Sequence, residues 1–298
     1  MTTATHRRVD RPGGVWALPA LVLFGLFALL PMLLVGYLSL TAWNGLGNPS
    51  FIGMANWTRL FTDPAMLDSL RLSVLLTVLS WVIQTPISLL LGVWAAGRQR
   101  NRAVLSAIFF LPLLLSSAAI AVLWRALLDP NFGLAATLGP LVGFADGNIA
   151  GTPTGALLCV AFVASWQFIP LHTLFYQSGA RQIPESLYEA ALIDGASRVQ
   201  QFRHITLPQL RNTIVSSSVL MVVGALTFFD TVLILTNGGP GTATYIVPFR
   251  MYTTAFRSYD YGYASAIAFA LVLVATAISL LLVRVSGFAR MRSTREGM

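Results

Sequence analysis

The chain has no lysine; all nineteen of its basic residues are arginine. A P-loop places a lysine on the β- and γ-phosphates of a nucleotide, so these residues cannot build an ATP site of that kind. Cysteine is almost absent too. Cys159 stands alone in an apolar run. It can form no internal disulfide and reads as a small buried apolar residue. The histidines, His6, His172 and His204, lie far apart without ligand spacing, so no metal site is expected. The largest deficit is charge. Only 10% of residues are charged, against about 25% in a soluble domain. With 56% of residues hydrophobic, there is too little polar surface to cover a water-soluble globule, and the chain reads as an integral membrane protein.

Apolar sequence is what remains in quantity. Six segments match the roughly 20 residues that a helical crossing needs. They run over about 15–41, 67–97, 103–128, 154–179, 212–235 and 263–285. The expected fold is all-α, with six transmembrane helices in one domain over 15–286 and short tails at 1–14 and 287–298. His6, Arg7, Arg8 and Arg11 precede the first run, but that run is too long for a signal-peptide core and is expected to stay as a span. The net charge of +8 is not clustered for nucleic acid. Arginines gather before the first span (Arg7, Arg8, Arg11) and between the second and third (Arg98, Arg100, Arg102). Others lie between the fourth and fifth (Arg181, Arg198, Arg203, Arg211) and at the end (Arg284, Arg290, Arg292, Arg295). Fourteen of the nineteen thus fall on one side. The positive-inside bias makes that side, with both termini, cytoplasmic.

Polar residues inside apolar runs are costly in lipid and should face the bundle or a water-filled path. The fourth segment carries Ser165, Trp166 and Gln167, then Pro170 and His172; the fifth ends in Thr227, Phe228, Phe229 and Asp230. The first three and the last four of these residues are the candidate translocation path. Asp230 is the one acid well inside an expected span, although an acid capped near the outer surface is an equal reading. His172 has no paired acid and reads as hydrogen-bonded to a neighbour rather than as a proton relay. Gln84-Thr85-Pro86 in the second segment and Pro112 in the third read as packing kinks. Outside the membrane, Trp43, Phe51, Trp57 and Phe61 suit an interfacial aromatic belt. Residues 129–153 suit an irregular loop, and Asn237-Gly238-Gly239-Pro240 a constrained outer turn.

One stretch between the fourth and fifth segments has a different character. Glu185 and Glu189 suit the start of a short helix, opened by Pro184 and stopped by Gly195. Ser197 and Gln200 then have capping-box spacing, and Pro208 is placed to begin the next long helix. Small residues at 190, 191, 195 and 196 would let another backbone approach. The run Glu189-Ala190-Ala191, then Asp194-Gly195-Ala196, then Phe202, Ile205 and Leu207-Pro208 resembles the EAA loop of ABC-importer permeases. Further on, Leu235-Thr236-Asn237-Gly238-Gly239-Pro240 and Tyr261-Gly262-Tyr263-Ala264-Ser265-Ala266 look like the first of the two paired subunits in maltose-type sugar permeases.

The resemblance implies a type I ABC importer permease in the bacterial plasma (inner) membrane. Its partners would be a second permease subunit in a heterodimer, an ABC ATPase dimer and an extracytoplasmic solute-binding protein; its cargo would be a carbohydrate. ATP and magnesium would sit on the ATPase, which would dock on the loop over 181–211, and this chain would carry no cofactor and no enzymatic activity. An ion-coupled secondary transporter is the alternative. It would place acids and broken helices in both halves, whereas acids here are sparse and no internal repeat is visible.

Overall fold

The computed structural model describes residues 14–97 and 108–285. The basic tails, Arg98, Arg100 and Arg102, and the start of the expected third span lie outside them. Helices in chain order are α1 (Leu18–Leu38), α2 (Ala55–Thr62), α3 (Pro64–Ala95), α4 (Ser117–Leu127) and α5 (Pro153–Ala180). They continue with α6 (Glu185–Ile193), α7 (Arg198–Gln201), α8 (Arg211–Leu226), α9 (Val247–Phe256) and α10 (Tyr261–Val285). Strand among the described residues is confined to an outer ribbon, β1 (Thr41–Ala42) antiparallel to β2 (Ser50–Phe51), with Thr41 opposite Phe51. Side-chain caps set several starts. Asp63 accepts from the Ala65 N–H, Ser116 from Ala119 and Thr152 from Gly155, each satisfying a first-turn donor that would otherwise be orphaned.

Four helices, α1, α3, α5 and α10, are long and apolar enough to cross a membrane. The other two expected spans are broken, and a side-chain cap marks the first break. In the third, Leu115 is extended and Ser116 caps a new helix, so the turn Leu111–Leu114 is separated from α4. In the fifth, Thr227 Oγ1 returns to the carbonyls of Val223 (3.1 Å) and Gly224 (3.2 Å), a competition with helix propagation typical of hydroxyl side chains. α8 stops at Leu226. The chain rewinds into a wide turn over Val232–Thr236, ended by Asn237 at φ 49°. Pro86 and Pro170, by contrast, lie inside unbroken helices.

The bundle is built on α3 against α5. Buried positions on α3 include Ser69, Ser73, Leu76, Ser80, Gln84, Ser88 and Gly92, a stripe at three- and four-residue spacing dominated by small side chains. Such stripes let membrane helices approach closely. Closest is Gly92, where an added Cβ would lie 2.6 Å from Tyr176 Cβ and 2.8 Å from the Thr173 carbonyl. Ser88 Oγ donates to the Ile169 carbonyl (3.3 Å) and Gln177 Nε2 to that of Ala95 (2.9 Å), so these two polar groups are paired across helices.

Beyond α1, buried Asn56 donates to the Ser39 and Thr41 carbonyls (3.0 and 2.8 Å) and so holds the exit of that helix. Arg59 pairs with Asp260 at 2.7 Å and lies 3.9 Å from the centroid of the Tyr263 ring, while the Tyr263 hydroxyl reaches Asp63 at 3.2 Å. These contacts clasp the first, second and last spans together.

Replacing Gly92 with valine would drive a branched side chain into backbone that cannot yield, at a cost of about 1–3 kcal/mol for overpacking. Gly92→Val should lower the apparent melting temperature of the purified protein. Gly25→Val should not, because a Cβ there meets nothing within 4 Å. Equal melting of both variants would contradict the close crossing.

Candidate functional site

The loop between α5 and α8 is a pair of short helices around a left-handed turn. Glu185 is the first residue of α6, and Pro184 lies just outside it. Glu189, Ala190 and Ala191 occupy its middle. Gly195 has φ 75°, and the Ala196 N–H returns to the Ala191 carbonyl at 2.8 Å, which closes the helix end. Both bonds of the capping box form: Ser197 N–H to Gln200 Oε1 at 2.7 Å and Gln200 N–H to Ser197 Oγ at 3.4 Å. A wide turn over Phe202–Thr206 follows, containing Ile205. Leu207 and Pro208 belong to a single turn ending at Gln209, and α8 begins separately at Arg211. Pro208 therefore does not start the long helix, as the sequence suggested; Leu210 separates the two helical segments.

This unit is anchored on one side and free on the other. Leu210 is buried with Leu89 and Tyr176, and Phe202 packs against that cluster. Tyr188 and Thr206 hydroxyls meet at 2.8 Å. The apex is solvent-facing: Ile193 is 87% and Val199 75% exposed, and Glu189, Asp194 and Gly195 are exposed beside them. Between the loop and the end of α3 lies an open cleft of about 1010 Å³, with Trp94, Arg181, Glu185 and Arg198 on its walls. Two large apolar side chains displayed on capped helices are costly in water unless another surface covers them.

The candidate path residues divide into two groups. On α5, Ser165 turns its hydroxyl to its own helix, at the Ala161 carbonyl (2.7 Å). Trp166 packs edge-on against Trp124 of α4, with ring centroids 5.5 Å apart. Gln167 Nε2 donates to Ser117 at 3.1 Å, while its buried Oε1 has no hydrogen-bond partner among the described residues. In the break after α8, Phe228 meets Phe168 of α5 at 6.5 Å and Phe229 lies 5.1 Å from Tyr252 of α9. Thr227 and Asp230 are exposed. Asp230 thus lies in the rewound segment beyond α8, not deep in a continuous span. The structure joins the two groups through Phe168 and Phe228 and leaves Trp166 and Gln167 facing α4. The outer turn is held by Asn237, which accepts from Arg257 at 2.7 Å. Gly238 there has φ 87°, the Gly239–Pro240 peptide is cis, and a Cβ on Gly238 would lie 2.5 Å from the Phe249 ring. Sequence reasoning missed the anchors Tyr188 and Thr206, because no local pattern predicts a contact eighteen residues apart.

The fold is a helical bundle, with four helices long and apolar enough to cross a membrane, that displays a capped, apolar-tipped loop. The chain belongs to the family described as binding-protein-dependent transport system inner membrane component, whose model matches residues 88–290, and it is the permease component of an ABC importer. It is 37% identical to a probable ABC transporter permease protein of Pyrococcus horikoshii, over 81% of this chain and 84% of that one. It is 29% identical to the trehalose/maltose transport system permease protein of Thermococcus litoralis, over 97% and 98%. The fold matches that of a bacterial ABC transporter involved in the import of the acidic polysaccharide alginate. The TM-score is 0.79 and the identity 22%, with 94% of this chain and 95% of that chain covered. This is the type I importer permease fold.

Removing the Ser197 hydroxyl should loosen the second short helix. A lost N-cap is worth about 1 kcal/mol, or roughly a fivefold change in local opening. Hydrogen–deuterium exchange of the amides at 199–201 should quicken by about that factor in Ser197→Ala, with the amides of α5 unchanged. Unaltered exchange at 199–201 would show that the cap does not hold the loop.

Proposed function

We propose that this chain is one of two different permease subunits in a carbohydrate importer of the inner membrane, driven by an ABC ATPase dimer docked on α6, Gly195 and α7. The exposed apolar apex at Ile193 on a loop anchored through Phe202 and Leu210 carries the proposal. Short tails at 1–14 and 287–298 face the cytoplasm with the docking loop over 181–211; the membrane domain spans 15–286. ATP and magnesium bind the partner ATPase, and the permease itself is not an enzyme. An extracytoplasmic binding protein delivers the solute. Related permeases support a sugar as cargo: besides the trehalose/maltose protein, a diacetylchitobiose uptake system permease of Streptomyces coelicolor is 29% identical over 81% of this chain. A solved neighbour was captured with an alginate pentasaccharide-bound periplasmic protein.

The geometry suggests how force would travel. Closure of the ATPase dimer displaces the apex. Leu210 and Phe202 sit on Tyr176 of α5 and Leu89 of α3, so a rigid loop shifts those helices rather than bending between them. α8 follows directly from Leu210 and carries the motion to Thr227, Phe228, Phe229 and Asp230. Aromatic faces suit the C–H faces of a sugar, and neutral polar groups such as Gln167 suit its hydroxyls. Rigid-body switching of packed helices between two arrangements is an established form of transporter motion.

Gly195 is the test position. Its φ of 75° costs a non-glycine residue about 1–2 kcal/mol, and an added Cβ meets nothing within 4 Å in this chain. Gly195→Val should therefore reach parental abundance in the membrane, recover little ATPase in a pull-down and lose most sugar uptake. Full ATPase recovery together with full uptake would mean that this stretch is only a solvated connector.

A further inference from the structure

Two openings flank Trp94 near the end of α3. One is the cleft of about 1010 Å³ under the loop, whose charged lining residues among those described are Arg181, Glu185 and Arg198. The other is a crevice of about 350 Å³ lined by Leu91, Trp94, Phe109 and Phe110, with no charged residue among its described walls. Trp94 stands on the wall of both and is 46% exposed. α3 and α5 are each long and apolar enough to cross a membrane, and they finish at Ala95 and Ala180. Their ends therefore mark a membrane surface, the depth at which tryptophan is favoured. Leu91 and Thr173 set the crevice one to two turns inside those ends, at the depth of hydrocarbon. Arg181 and Arg198 set the cleft just beyond them, at the depth of headgroups.

We propose that this end of the bundle binds one anionic phospholipid, such as phosphatidylglycerol, with its phosphate on Arg181 and Arg198 and one acyl chain in the crevice over Leu91, Phe109 and Phe110. The site rests on the membrane bundle and not on the cargo. Neither arginine side chain has a hydrogen bond or ion pair with a described residue, and guanidinium forks match phosphate oxygens. Arg198 lines the cleft although its neighbour Val199 belongs to the exposed apex. Two arginines against one glutamate leave the described wall with one net positive charge. A zwitterionic lipid would bring its own ammonium to that wall. A free phosphate would satisfy the arginines and leave the apolar crevice uncovered. A molecule that is anionic at one end and hydrocarbon at the other fills both openings, with the Trp94 ring at the joint. Seated there, it occupies the space between the loop and the end of α3, so the seating of the loop on the bundle comes to depend on membrane composition.

Trp94 supplies the signal for a test. The complete importer, purified in detergent, is titrated with phosphatidylglycerol brominated along its acyl chains, because bromine quenches tryptophan fluorescence at short range. Subtracting the response of Trp94→Phe isolates the signal of this site. That signal should fall saturably, and brominated phosphatidylcholine should need about fivefold more lipid or over. Arg181→Gln and Arg198→Gln should each raise the half-saturating phosphatidylglycerol about fivefold, the attraction of one arginine at an anionic surface. Arg71→Gln, which removes an exposed arginine near the start of α3, should leave it unchanged, and excess inorganic phosphate should not displace the lipid. Arg181 lies outside α6 and α7, so its variant reads lipid binding separately from any loss of ATPase in Arg198→Gln. No quenching of Trp94, equal affinity for the two lipids, or parental affinity in Arg181→Gln would overturn the site. Displacement by inorganic phosphate would show a free-anion site and overturn the lipid.

Discussion

The approach of α3 to α5 at Gly92 is the contact on which the rest depends. Only a hydrogen at this position lets the two backbones come close enough for Tyr176 to be wholly buried. Tyr176 in turn is the floor on which Leu210 and Phe202 rest. The helix crossing and the anchorage of the loop between α5 and α8 are therefore one packing unit. In a bilayer, apolar side chains gain little by leaving lipid for protein, so close van der Waals contact and interhelical hydrogen bonds carry the association. The small-residue stripe on α3 supplies the first and the Ser88 and Gln177 bonds supply the second.

Polar placement inside the bundle follows from the same solvent. Most buried hydroxyls return to a carbonyl of their own helix or pair across a helix contact, as those of Ser165 and Ser217 do. The break after Thr227 places Phe228 and Phe229 outside regular helix. Irregular backbone at membrane depth is tolerated where protein buries it or it lines a cavity. The break and a cavity lined by Gln84 share Phe228, which fits that expectation.

Much of this was legible in the sequence. The missing charge and the long apolar runs predicted a membrane bundle, and the arrangement from Glu189 to Gln200 was read nearly residue by residue. It could be read because caps and left-handed glycines act over three to five residues. Helix continuity in the third and fifth segments was not legible. Hydropathy averages over a window and does not register a single capping residue such as Ser116. The division of the candidate path, with Trp166 and Gln167 facing α4 and Thr227 to Asp230 lying beyond α8, depended on that continuity and was hidden with it. Gln84, in a stretch that reads as a packing kink because Pro86 follows it, also lines a cavity between α3, α5 and α8. Long-range pairs such as Asn56 with Ser39, or Arg59 with Asp260, have no local signature.

The central claim is that the tip of the loop, near Ile193, is where the driving subunit sits. A photo-crosslinking residue at position 193 in the complete importer tests it directly, with position 141 as the control because Leu141 is 79% exposed in the segment between α4 and α5. On irradiation of membrane vesicles, position 193 should give a covalent adduct with the ATPase subunit and position 141 should give none. No ATPase adduct at 193, or an equal yield from 141, would contradict the account.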